Sequence, residues 1–230
     1  MSDLAAFLDH MDWWGLVGLL ISAAAALLCI TFHELSHGFV AYRLGDPTAK
    51  NAGRLTMNPV KHIDPIGLVM MLVAKVGWAK PVPVDMRYFK HPKRGMALTA
   101  LAGPVSNFLL AAAALGLSSL LYHLIQPGNL LLLFLCFLSN VALLSLGLGI
   151  FNLIPISPLD GSKVLFSFLP DKAYLTMMRY ERYVMVLVVI LTMAGVFQKP
   201  LSWMIFRTLE ALCGLVNYPI EIFFLVQQLF

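Results

Sequence analysis

Residues 13–32 read WWGLVGLLISAAAALLCITF, and HELSH follows at 33–37. Twenty residues without a charged side chain are enough, as a helix, to cross the roughly 30 Å hydrocarbon core of a bilayer. His33 and His37, four apart, share one helical face, where two imidazoles can grip one metal ion. Glu34 stands beside them as a candidate general base. An ionised glutamate at the end of so long an uncharged run needs a partner, which favours a metal site over a structural role.

Composition agrees with a membrane chain. Of 230 residues, 60% are hydrophobic and 12% charged, against roughly 25% charged in soluble domains. A soluble protein of this size could not hide that much apolar surface. Ten of the sixteen Lys and Arg lie between Arg43 and Arg94, opposed by Asp46, Asp64 and Asp85. Residues 1–12 carry Asp3, Asp9 and Asp12 with no Lys or Arg, the wrong charge for a cleaved signal peptide. Cys29, Cys136 and Cys213 sit in apolar runs without paired spacing, so neither a disulfide framework nor a thiolate zinc knuckle is indicated. Cys29, one turn before His33, reads as a small buried neighbour of the site.

The first span covers 13–42, with residues 1–12 as an outer segment, and Gly45-Asp46-Pro47 ends it. Residues 43–94 are rich in proline, contain strand-like pieces such as Pro81-Val82-Pro83-Val84, and enclose the short apolar stretch Ile66–Ala74. This predicts a small re-entrant β and loop region at the membrane. From Gly95 to Leu159 no Asp, Glu, Lys or Arg appears. Spans at 96–122 and 130–151 fit there, separated by the turn signal Gln126-Pro127-Gly128-Asn129. Tyr183–Gln198 predicts a short fourth span, and Leu201–Phe230 either a fifth or an interfacial helix. The class is an all-α polytopic membrane protein in one domain, 1–230, with C-terminal helices over 183–230. The positive-inside rule places 43–94 and 160–182 in the cytoplasm and the acidic N-terminus outside.

That orientation puts His33, His37 and Asp160 at similar depth. Two histidines leave a catalytic zinc site one protein ligand short. The candidate is Asp160, in the 152–161 segment NLIPISPLDG, where Pro155, Pro158 and Gly161 break the helix and let a carboxylate point inward. A turn or N-cap aspartate is the competing reading, since Asp-Gly is a common turn.

These residues resemble the site-2 protease family of intramembrane zinc metalloproteases. HELSH and the Asn152…Pro155…Leu159-Asp160-Gly161 element match its two signature motifs. Asn58-Pro59, His62–Gly67, Gly77–Val84 and Ala102–Asn107 are similar to its short bacterial and archaeal branch. The resemblance covers about residues 30–165. It implies three core helices holding one Zn2+ ion, with His33, His37 and Asp160 as ligands, Glu34 as base, and Asn152 steadying an oxyanion. Capping of a broken helix is the alternative for Asn152. The resemblance also implies that Pro81–Val84 belongs to a membrane-associated sheet whose edge pairs with an unwound substrate. With no PDZ insertion and no CBS domain, a short form is expected. His62 and Asp64 read first as loop-structuring residues and second as site neighbours.

The expected partners are transmembrane protein or peptide substrates and the lipid bilayer, with no nucleic acid; a homo-oligomer is left open. The expected place is a prokaryotic inner membrane, with the site toward the cytoplasm. Two rivals stand beside the enzyme reading. One is a non-proteolytic scaffold that retains the zinc site, although the base and all three ligand candidates are present. The other is a zinc transporter, which would need ligands along several spans.

Overall fold

The computed structural model describes residues 13–67, 69 and 78–228. Most of the Ile66–Ala74 stretch and residues 1–12 lie outside these. Helix α1 runs Trp13–Arg43, about 46 Å at 1.5 Å per residue, so it exceeds the hydrocarbon core. It stops where the sequence predicts. Gly45 takes φ 107°, Gly45 N–H donates to Tyr42 O at 3.1 Å, and Asp46 N–H to Ala41 O at 3.0 Å. This pair of bonds closes the last turn around a left-handed glycine.

After the short helix α2, Thr48–Asn51, the chain makes two 3-10 turns, Pro59–His62 and Met86–Tyr88. Helix α3, Pro92–Leu124, starts on a proline whose missing N–H costs nothing at a helix N-terminus. Helices α4, Asn129–Asn152, and α5, Asp160–Phe166, follow. The chain then forms α6, Asp171–Met193, α7, Gln198–Leu215, and α8, Ile220–Gln227. The predicted sheet reduces, among the described residues, to one antiparallel bridge between Ile63 and Ala79, with Lys80 N–H donating to His62 O at 2.9 Å. Pro81 and Pro83 cannot extend that ladder, because neither has an N–H.

Helices α1, α3 and α4 are long and apolar enough to cross a membrane, and they pack on one another. Ala25, Ala111 and Ala142 are fully buried between them. Small residues let helix backbones approach closely, which drives association inside lipid. Ser145 Oγ donates to Cys29 Sγ at 3.1 Å, so Cys29 is the buried neighbour expected. Leucines 19, 20, 109 and 130 stay exposed on the outside of the bundle.

The C-terminal part departs from expectation. The predicted fourth span, Tyr183–Gln198, is the second half of the longer α6, which meets α7 at an 81° bend. Helix α6 begins beside the start of α3, where Lys93 Nζ lies 2.5 Å from Asp171 Oδ1. It ends near the last turn of α4, where the Phe151 and Phe197 rings are 6.0 Å apart. Both contacts are at the basic end of the bundle, and α6 with α7 counts by length and composition as a fourth, broken span. Helix α7 instead climbs to the far end, where Ser119 Oγ donates to Asn217 O at 3.2 Å. The break falls at Gly195, φ 75°, inside a stretch, 183–198, whose lack of charge read as one span.

Candidate active site and metal centre

His33 and His37 are both buried on α1, one turn apart. Their Nε2 atoms lie 3.1 Å and 3.2 Å from Asp160 Oδ2. An ion held tetrahedrally by bonds of about 2.0–2.1 Å spaces its ligand atoms roughly 3.3 Å apart, close to both nitrogen–oxygen distances, and all three donor atoms lie within 4.8 Å of one another. Among the described residues these three are the group of His, Cys and acidic side chains whose donor atoms converge.

The protons sharpen this. His37 Nδ1 is 2.7 Å from the carbonyl oxygen of Thr99 on α3. A carbonyl can only accept, so Nδ1 carries the hydrogen. In a neutral ring Nε2 then presents a lone pair, and it faces a carboxylate oxygen. With the hydrogen on Nδ1, Nε2 is the nitrogen left to bind a metal ion beside the Asp160 carboxylate and the second imidazole. The donor set of two imidazoles and one carboxylate suits Zn2+.

Asp160 reaches this place because α5 folds back on the end of α4. A Cβ at Gly161 would lie 2.2 Å from Leu153 O, so only glycine allows the approach. The turn reading of Asp160 fails: it is the first residue of α5, its N-cap is Leu159, and no side chain caps that terminus. Lys163 Nζ lies 3.9 Å from the other oxygen, Oδ1.

Glu34 follows His33 on α1, and its Oε2 accepts from the main-chain N–H of Val82 at 3.0 Å. Between Pro81 and Pro83 that is the single amide hydrogen, and it is engaged. With that hydrogen taken, the tripeptide has carbonyl acceptors left and no main-chain donor, a narrower offer than a full sheet edge. Asn152 closes α4, and its Nδ2 donates to Leu148 O at 2.9 Å. It is not among the converging donors, but the carbonyl of the next residue, Leu153, packs against Gly161.

His62 and Asp64 take the structural roles expected first. His62 is buried with Nε2 2.9 Å from Thr56 O, and Asp64 Oδ1 accepts from Ile66 N and Gly67 N. Sequence reading gave Gly103 no role, yet a Cβ there would fall 2.4 Å from His37 Nε2 and 2.7 Å from His33 Cε1. Its lack of a side chain makes the room in which the imidazoles meet Asp160. Thr99 was also missed; because it acts through its carbonyl, no side-chain pattern could have signalled it.

Comparison with known proteins gives concordant results. The profile of peptidase family M50 matches residues 129–195, a stretch that includes Asn152 and Asp160. "Putative zinc metalloprotease YwhC" of Bacillus subtilis (strain 168) is 42% identical over 161 residues, covering 68% of this chain and 73% of that protein. "Putative zinc metalloprotease Rip2" of Mycolicibacterium smegmatis is 33% identical over 154 residues, 63% of this chain and 56% of the relative. The Rip2 of Mycobacterium tuberculosis (strain H37Rv) is 30% identical over 180 residues, with 74% and 66% covered. No solved structure matches the chain.

Proposed function

The chain belongs to peptidase family M50, the site-2 protease family of zinc metalloproteases, and from that premise we propose that it is an intramembrane endopeptidase cutting peptide bonds in or near transmembrane segments of membrane proteins. The observation that carries the reading is the convergence of His33, His37 and Asp160 beside Glu34, at the basic end of a membrane-length helix.

In this reading His33, His37 and Asp160 hold one zinc ion. When bound, zinc supplies a Lewis acid that brings the pKa of a water molecule toward neutrality. Glu34 carries the proton, accepting it from the attacking water and passing it to the departing amine. Asn152 gives up its bond to Leu148 O and turns its amide toward the oxyanion. Thr99 fixes the His37 ring, and the buried face of α3 keeps lipid away. A helical substrate hides its carbonyls in hydrogen bonds, so it unwinds before attack. The basic 43–94 region on the cytoplasmic face of a prokaryotic membrane leaves water a short path to the site.

The test compares wild type with Glu34→Gln, both zinc-loaded, on a single-span substrate in liposomes. Cleavage should fall roughly 10²- to 10⁴-fold; equal cleavage by both would refute the reading.

A further inference from the structure

The segment from Lys80 to Asp85 is tied down at both ends and in the middle. Lys80 N–H donates to His62 O at 2.9 Å, and the Lys80 carbonyl accepts from buried Arg54 Nη2 at 2.5 Å. Asp85 N–H donates to fully buried Asp46 Oδ2 at 2.7 Å. Between these anchors Val82 N–H meets Glu34 Oε2 at 3.0 Å. The segment lies flat on α1 one turn past Glu34, because Gly38 makes room: a Cβ there would be 3.1 Å from Val82 Cγ1 and 2.8 Å from Leu55 Cδ2.

These contacts have one shared outcome. Three ties hold a strap across α1, and between its two prolines it carries a single donor, aimed at the carboxylate next to the histidines. We propose that the main-chain N–H of Val82 is a positioning group for Glu34. It pins Oε2 and so fixes the orientation of the carboxylate next to His33. The flanking prolines make the pairing unambiguous, since neither can compete for the carboxylate. A glutamate has three rotatable side-chain bonds, and fixing one oxygen removes much of the search for a productive orientation. The inference rests on the reading of Glu34 as proton carrier, but the bond itself can be tested without catalysis.

Hydrogen exchange on the zinc-loaded, full-length protein in detergent tests the bond. Within Pro81–Pro83 the only main-chain amide proton is that of Val82, so its signal is isolated. Glu34→Ala should speed its exchange roughly ten- to hundredfold, the range for losing a hydrogen bond to a charged group. Lys80 and Asp85, held by His62 and Asp46, should stay slow. Unchanged exchange at Val82 would overturn the proposal. A protein that shows this response yet cleaves nothing would refute the protease reading and leave the Glu34–Val82 bond standing.

Kinetics test the role. Val82→Pro removes the N–H and should lower kcat roughly ten- to hundredfold with KM and zinc content kept. Val82→Ala keeps the N–H and should stay near wild type. Equal kcat in the two variants, or faster cleavage by Val82→Pro, would overturn the proposal; the latter would make the contact an inhibitory latch. Gly38→Ala covers the case in which Val82→Pro loses zinc. It lifts the strap without altering Glu34 or the amide, so Val82 exchange should quicken and kcat fall together. Faster exchange with unchanged kcat would overturn the positioning role.

Discussion

Gly103 and His37 are in contact across two helices: a Cβ on Gly103 would sit 2.4 Å from His37 Nε2, the nitrogen turned toward Asp160. The missing side chain on α3 is thus part of the candidate metal site on α1. Gly103→Ala should cost roughly tenfold or more in zinc affinity, measured by competition with a chelator, while the helical circular dichroism stays intact. Gly116→Ala is the control. It lies on the same helix with open space around it, and alanine there should be neutral or stabilising by about 0.5–1 kcal/mol.

Asp160 supplies the only carboxylate among the converging donors. Asp160→Asn preserves size but removes the charge that offsets the ion. Bound zinc, counted by elemental analysis after dialysis, should fall well below one per chain. Retention of a full equivalent would take Asp160 out of the ligand set.

Asn152 has two readings that separate experimentally. As a helix-end residue bonded to Leu148 O, its loss would lower stability alone. As an oxyanion donor, Asn152→Ala should lower kcat roughly 10²- to 10³-fold with zinc retained. Steady-state kinetics together with zinc content distinguishes the two.

The membrane-length helices and the converging His33, His37 and Asp160 were legible because each rests on a local signal. An uncharged run sets α1, Gly45-Asp46 ends it, and the four-residue spacing pairs His33 with His37. Asp160 could be reached from charge counting, since a carboxylate ending an apolar run needs a partner. Other features were not legible. Thr99 and Val82 act through main-chain atoms that every residue carries. Gly103 acts through what it lacks. The bend between α6 and α7 falls at Gly195, φ 75°, a turn mark that the uncharged run 183–198 overrode, and among the described residues the predicted sheet is one bridge, Ile63 to Ala79.

Asp46 links the end of α1 to the strap. It is fully buried, and accepts from Thr48 N at 2.9 Å and Asp85 N at 2.7 Å. Asp46→Ala leaves both amides without their acceptor. Stability should drop about 1–3 kcal/mol per amide left buried and unsatisfied, seen in thermal unfolding in detergent. Exchange at Asp85 should rise with it.

The central claim is that His33, His37 and Asp160 hold one zinc ion. X-ray absorption at the zinc edge of the purified protein tests it most directly. The account predicts nitrogen and oxygen scatterers at about 2.0–2.1 Å, with two imidazole rings and no sulfur. A sulfur scatterer at about 2.3 Å, or a zinc-edge spectrum unchanged in Asp160→Ala, would contradict it.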